Sequence, residues 1–174
     1  MDSKPDLKKG VNLVQRSGKT PVFQALVARE LESRDANAVW IDTGNESSTY
    51  ALNRHGSEKL MEKVSIGRAF TPFQHHSLVR QIEDFIDEKT EILVLPNVTA
   101  LYLDGQVKSW EAEELFREAW NKIMILRKKF DLKILVSLPE NSELDFLVKG
   151  DMRNRIDVKK TSQGLKYDSG DFET

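Results

Sequence analysis

The sequence predicts an α/β domain in which a mainly parallel sheet is flanked by helices and ends in a C-terminal β-hairpin. Three observations predict it. Short apolar runs alternate with amphipathic stretches of helical period along most of the chain. One run, Ile92 to Leu95, is apolar at every position, as a strand buried on both faces should be. The last two runs, Arg155 to Lys160 and Gly164 to Tyr167, are separated only by a short turn around Ser162-Gln163. Strand and helix units of this length imply one sheet joined by right-handed crossovers.

The elements follow in order. Val11 to Gln15 is a short strand, and the stretch Pro21 to Arg34 sets Val22, Phe23, Leu26, Val27 and Leu31 on one helical face. Ala38 to Ile41 is a second strand, closed by the turn-forming Asp42-Thr43-Gly44-Asn45. Val64 to Phe70 is a third. Thr71 then suits an N-cap and Pro72 a first helical position, with Leu78, Val79, Ile82, Phe85 and Ile86 as the apolar stripe. After Ile92 to Leu95, the residues Ala112, Leu115, Phe116, Ala119, Ile123, Leu126 and Phe130 recur at spacings of three and four, so Ser109 to Phe130 reads as a long helix. Lys133 to Leu138 is the next strand, and Pro139 opens a loop before the hairpin.

Composition bounds the function. With 174 residues, 39% hydrophobic and 31% charged, the chain reads as a single domain over 1–174, with residues 1–9 and 168–174 as flexible ends. It has no cysteine, which excludes disulfides, thiolate zinc sites and cysteine nucleophiles. No apolar run approaches the ~20 residues that span a bilayer, and the start lacks the apolar core of a signal peptide. The expectation is a cytoplasmic protein with no membrane partner. A net charge of -2 gives no global attraction to nucleic acid, so any such contact must come from a local patch.

The chemistry centres on Ser17-Gly18-Lys19-Thr20, between the first strand and the first helix. It matches the end of a phosphate-binding loop, G-x-x-x-x-G-K-[ST], in which glycine backbone bends to aim N–H groups at phosphate while the Lys reaches the outer phosphates. Its beginning departs from that pattern: Leu13 holds the first glycine position, Arg16 precedes Ser17, and Pro21 has no N–H to give. Two readings stand. Ser17, Gly18, Lys19 and Thr20 form a vestigial polar turn, or they bind ATP or phosphate weakly. The adjacent His75 and His76 point about 100° apart on a helix and read as a surface pair, not a metal site. Glu111, Glu113 and Glu114 suit the positive end of a helix dipole.

Four segments carry a family resemblance: SGKT before a helix; Val39 to Thr43 (VWIDT); Gly67 to Val79 (GRAFTPFQHHSLV); and Leu93 to Tyr102 (LVLPNVTALY). In their order and spacing the chain resembles the RecA-fold ATPase core of the archaeal RadA and RadB recombinases, a P-loop NTPase fold. The resemblance implies three catalytic stations, and the sequence departs at each. Where the family has the Walker B Asp that holds magnesium, this chain has Pro96 followed by Asn97. Gly44 stands where a Glu readies the attacking water, with Glu46 two residues on. Leu138-Pro139 stands where an Asn-Gln pair senses the terminal phosphate. Phe116 to Ala119 spells the F-x-x-A by which recombinases join subunits, but falls in a helical core stripe, where burial explains Phe116 better.

The resemblance also implies two DNA-holding loops. The first corresponds to Leu103 to Lys108, short and with a single Lys. The second region, with the hairpin beyond it, carries Lys149, Arg153, Arg155, Lys159, Lys160 and Lys166 against two acidic residues. Lys149, Arg153, Arg155, Lys159 and Lys160 are therefore the candidate single-stranded DNA contacts; alternatively, the basic residues keep an exposed edge strand from aggregating. The expectation is a non-catalytic RadA-like paralogue that binds a RadA-type recombinase, DNA or itself, with no catalytic residue and no resident cofactor. The alternative is an ATP- and magnesium-dependent ATPase or switch that uses Glu46 and Asp104.

Overall fold

Of the 174 residues, the computed structural model describes 7–16, 22–32, 34–43 and 58–171, apart from the side chains of Arg16, Val22, Glu58, Lys59 and Lys160. In chain order they form β1 (Gly10–Arg16), α1 (Val22–Glu32), β2 (Asn37–Thr43), the short helix α2 (Glu58–Glu62), β3 (Val64–Ala69), α3 (Pro72–Gln81), β4 (Thr90–Leu95), α4 (Ser109–Phe130), β5 (Lys133–Val136), β6 (Met152–Thr161) and β7 (Gly164–Asp171). The strands make a seven-stranded sheet in the order β3-β2-β4-β5-β1-β6-β7. Every neighbouring pair is parallel except β6 and β7. This is the α/β architecture expected, compatible with a Rossmann-like or a RecA-like core.

The order explains the layers. From β1 to β3 the chain steps one way along the sheet, and from β3 to β6 it steps the other way. Right-handed crossovers then put α1 and α2 on one face and α3 and α4 on the other. The buried side chains agree. Leu26, Val27 and Leu31 of α1 pack with Val14, Trp40, Ile92, Val94, Leu135 and Ile156. Val79 of α3 and Phe116, Ile123 and Leu126 of α4 pack with Val11, Leu13, Leu93, Leu95 and Ile134. All four residues from Ile92 to Leu95 are fully buried, so β4 serves both cores.

Local signals act where the sequence places them. Thr71 Oγ1 accepts from Gln74 N at 3.0 Å, while Gln74 Oε1 accepts from Phe70 N at 2.8 Å; with Pro72 at the first position, α3 has a closed amino end. The long helix α4 stops at Asp131, whose left-handed backbone (φ 54°) ends the hydrogen-bonded spiral. The stripe expected around Phe85 is shorter than the pattern suggests. After Gln81 the chain tightens into a 3₁₀ turn, Ile82–Phe85, and Phe85 is exposed.

Within the described residues, both ends of the chain make contacts with the sheet. β7 continues to Asp171, pairing Asp168 with Asp157 and Asp171 with Asn154. Asp168, Ser169 and Gly170 give no apolar signal, yet backbone pairing to β6 carries them as strand. At the other end Leu7 is buried, and Lys8 N donates to Asn12 Oδ1 at 3.0 Å. β6 is also more than half of a hairpin, because it pairs with β1 in parallel.

That parallel join is held by a buried amide. Asn12 is fully buried in β1, between β5 and β6. Its Nδ2 donates to Lys8 O (2.9 Å), Gly10 O (3.2 Å) and Ile134 O (3.1 Å), and its Oδ1 accepts from Lys8 N and from Asn154 Nδ2 (2.9 Å). Removing it strands several buried polar groups at once, and each costs about 1–3 kcal/mol when left unsatisfied. Asn12→Ala is therefore expected to lower unfolding stability by about 2–4 kcal/mol in urea titration. Asn12→Asp should cost more, because it sets a buried carboxylate against three carbonyl oxygens. A loss well under 1 kcal/mol for both would contradict this role.

Candidate functional site

In an open α/β sheet, ligands bind outside the carboxyl ends of strands where neighbouring connections leave to opposite faces. Two such points exist here. β2 leads toward α2 while β4 leads toward α4, and β1 leads to α1 while β5 leads away on the other side. The residues that join β1 to α1 include Ser17, Gly18, Lys19 and Thr20, and they lie outside the described residues, as do Pro21, Gly44 and Glu46.

The described strand ends are bonded to one another. Thr43 at the end of β2 donates its hydroxyl to Pro96 O at 3.3 Å, across the β2/β4 switch point. Asn97 follows Pro96 with φ 45°, a left-handed conformation that Asn tolerates better than most residues. Its N–H donates to Ser137 Oγ at 2.8 Å, and Val98 N donates to Ser137 O at 3.0 Å. The hydroxyl of Ser137 thus caps the turn that leaves β4. The next residues close as a 3₁₀ turn, Ala100–Tyr102, which starts from an Asn97 carbonyl bonded to Ala100 N at 2.9 Å.

Polar groups at these described ends are already partnered. The end of β4 offers a proline carbonyl already bonded to Thr43 in place of a carboxylate, and the end of β5 offers a serine bonded to Asn97. Asp104 is occupied within its own loop. It is exposed in the loop before α4, where its two oxygens accept from Gln106 N and Gln106 Nε2. Among the described residues there is no group of three side chains able to hold a metal ion.

One carboxylate here, in the segment VWIDT, has no assigned role in the sequence beyond turn formation. Asp42 is fully buried at the end of β2, and neither of its oxygens has a hydrogen-bond partner among the described residues. The strand alternation sets it on the same face as Trp40, whose indole N–H is also buried without a described partner. Its register neighbour on β3 is the exposed Arg68.

The histidine pair divides. His75 is not a surface residue: it is 1% exposed, and its Nδ1 lies 2.8 Å from the hydroxyl of Tyr102, which packs edge-on against Phe116. The helix turns one of two adjacent side chains inward, and a polar ring does not say which. Burial, with His76 beside it, lowers the His75 pKa to about 4, and burial raises that of Tyr102. His76 instead reaches Glu118 of α4 at 2.8 Å. Phe116 and Ala119 are buried in the core, so the F-x-x-A pattern is packing, as expected.

The basic candidates do not form one patch. Lys149 sits in a 3₁₀ turn (Lys149–Asp151) at the amino end of β6, beside Asp145. That region is packed, with Val148 buried and Trp120 Nε1 donating to Asp151 at 2.8 Å. Arg153 turns its guanidinium to Gly150 O and Met152 O, and Arg155 pairs with Asp157 at 3.2 Å. Lys159 lies roughly 20 Å from Arg153 along the strand and stands opposite Lys166. The Lys160 side chain is outside the described residues. The second hairpin strand also brings Asp168 and Asp171 alongside, so the local positive balance read along the chain is diluted in space. Among the described residues no helix is long and apolar enough to cross a membrane.

The buried His75 makes stability pH-dependent in a set direction. Its folded pKa, about 4, lies below the ordinary value of 6.5, so below pH 6.5 the unfolded chain takes the proton first. Stability is thus fully present above pH 6.5 and falls as pH drops toward 4, by about 3 kcal/mol for this group. In His75→Phe, that part of the loss should disappear from the difference between urea titrations at the two pH values. Compared with known families and curated proteins, the chain matches no family model and no curated sequence.

Proposed function

We propose that this chain is a RecA-like core that has lost nucleotide hydrolysis and acts as a binding module, an accessory to a RadA-type recombinase in DNA recombination and repair. The observation that carries this reading is the bonding among the ends of β2, β4 and β5. In the P-loop family the chain resembles, those ends supply the metal carboxylate, the water-activating Glu and the phosphate sensor. Here Thr43, Pro96, Asn97 and Ser137 spend their polar groups on each other. A site closed in this way stiffens the fold and leaves little to hold magnesium.

The order of strands, the SGKT between β1 and α1, and the antiparallel β7 beyond β6 support kinship with that core. The ATPase alternative draws no support from Asp104, which serves its own loop. Asp42 is the one described carboxylate near these ends that could favour it, and its burial sets it under the sheet face that α1 covers.

The DNA role is tested by fluorescence anisotropy with single-stranded DNA across salt. Binding should weaken with salt, and neutralising Arg153, Arg155, Lys159 and Lys160 to Gln should flatten the salt dependence by roughly one slope unit per lost phosphate contact. The reading fails if the chain binds no DNA at low salt and also retains no RadA-type recombinase in a pull-down.

A further inference from the structure

The hairpin carries its charges in rows. Lys159 stands directly opposite Lys166, and Asp157 directly opposite Asp168. All four lie on the face away from Ile156, Val158 and Tyr167, which are buried in the core beneath α1. Like charges directly opposite across two strands are destabilising, and this hairpin holds two such pairs side by side. Arg155, at 3.2 Å from Asp157, offsets only one of them.

β7 is the last strand of the sheet among the described residues. A strand at an edge is a template for another strand, and its outward backbone groups recur at every second residue. Antiparallel pairing of β7 with β7 of a second copy must therefore place its two-fold axis on a residue, not between two. The sequence of the strand then discriminates among the choices. An axis on Lys166 sets lysine against lysine, and one on Asp168 sets aspartate against aspartate. An axis on Leu165 or Ser169 sets a charge against a glycine. Only an axis on Tyr167 sets Lys166 against Asp168 of the second copy, twice.

We propose that the chain forms a two-fold dimer by antiparallel pairing of β7 with β7 of a second copy, centred on Tyr167, with Lys166 and Asp168 fixing the register. Across the joined sheet one row then reads Asp157, Asp168, and Lys166 and Lys159 of the second copy. Each like-charge pair of the hairpin meets the opposite pair. Gly164 falls against Gly170 of the second copy, where neither brings a side chain. Closed two-fold symmetry is the commonest arrangement of homo-oligomers. The other reading of Lys166, a charge that keeps an edge strand single, gives no reason for the neighbouring aspartate pair. This dimer does not depend on the function proposed above.

The test is sedimentation equilibrium of the full chain and of two variants, Lys166→Asp and Asp168→Lys. Each variant turns a like-charge pair inside the hairpin into an opposite one, so folding is expected to hold, as circular dichroism checks. The wild type should sediment as a dimer. Each variant alone should lose about tenfold or more in association constant, since two attractive cross-strand pairs become repulsive. Mixing the two variants should restore a dimer containing one of each, because a strand with aspartate at both positions then faces a strand with lysine at both. A monomeric wild type, a dimer that neither variant weakens, or weakened variants that fail to recover on mixing would each overturn the proposal.

Discussion

The fold depends on how β1 is held between β5 and β6, and that is the work of Asn12. A short strand of seven residues in the middle of the sheet has apolar neighbours on both faces, which fix its depth but not its partners. The buried amide adds the missing specificity. It has donors for carbonyls on its own strand and on β5, and an acceptor for Asn154 on β6. A one-residue slip would leave those groups unpaired in the interior, which is costly enough to exclude it. Because β1 is fixed, its carboxyl end is held next to that of β5.

Polar groups at the carboxyl edge of the sheet are partnered with one another. Its strand order leaves two points where connections part to opposite faces, the geometry that elsewhere binds nucleotides. One of those points is bridged by Thr43 and Pro96, and the turn beyond it is capped by Ser137. Proline at the end of β4 contributes twice to this closure. It withdraws a backbone N–H, and it leaves its carbonyl to the threonine. Thr43, Pro96, Asn97 and Ser137 thus supply structural bonds at the ends of these strands.

Much of the fold was legible because burial leaves a periodic trace. The long helix Ser109–Phe130, the capped start at Thr71 and Pro72, and the all-apolar β4 all stand where their patterns place them. Polar features left weaker traces. Asn12 is an ordinary polar residue in sequence, and nothing local distinguishes it from an exposed one. His75 and His76 are alike in sequence, and only the packing of α3 against α4 separates them. The strand character of Asp168 to Asp171 comes from pairing with β6, a partner that composition does not announce. Charge summed along the chain from Lys149 suggested a basic edge, whereas the register brings two aspartates alongside it.

A thermal melt titrated with magnesium and ATP tests most directly whether the carboxyl edge has been closed to nucleotide. A ligand that binds only the folded chain must raise the midpoint once its concentration exceeds its dissociation constant. With the ends of β2, β4 and β5 bonded to each other, the midpoint should not move up to millimolar nucleotide. A rise of several degrees at micromolar nucleotide, abolished by Lys19→Ala, would contradict it.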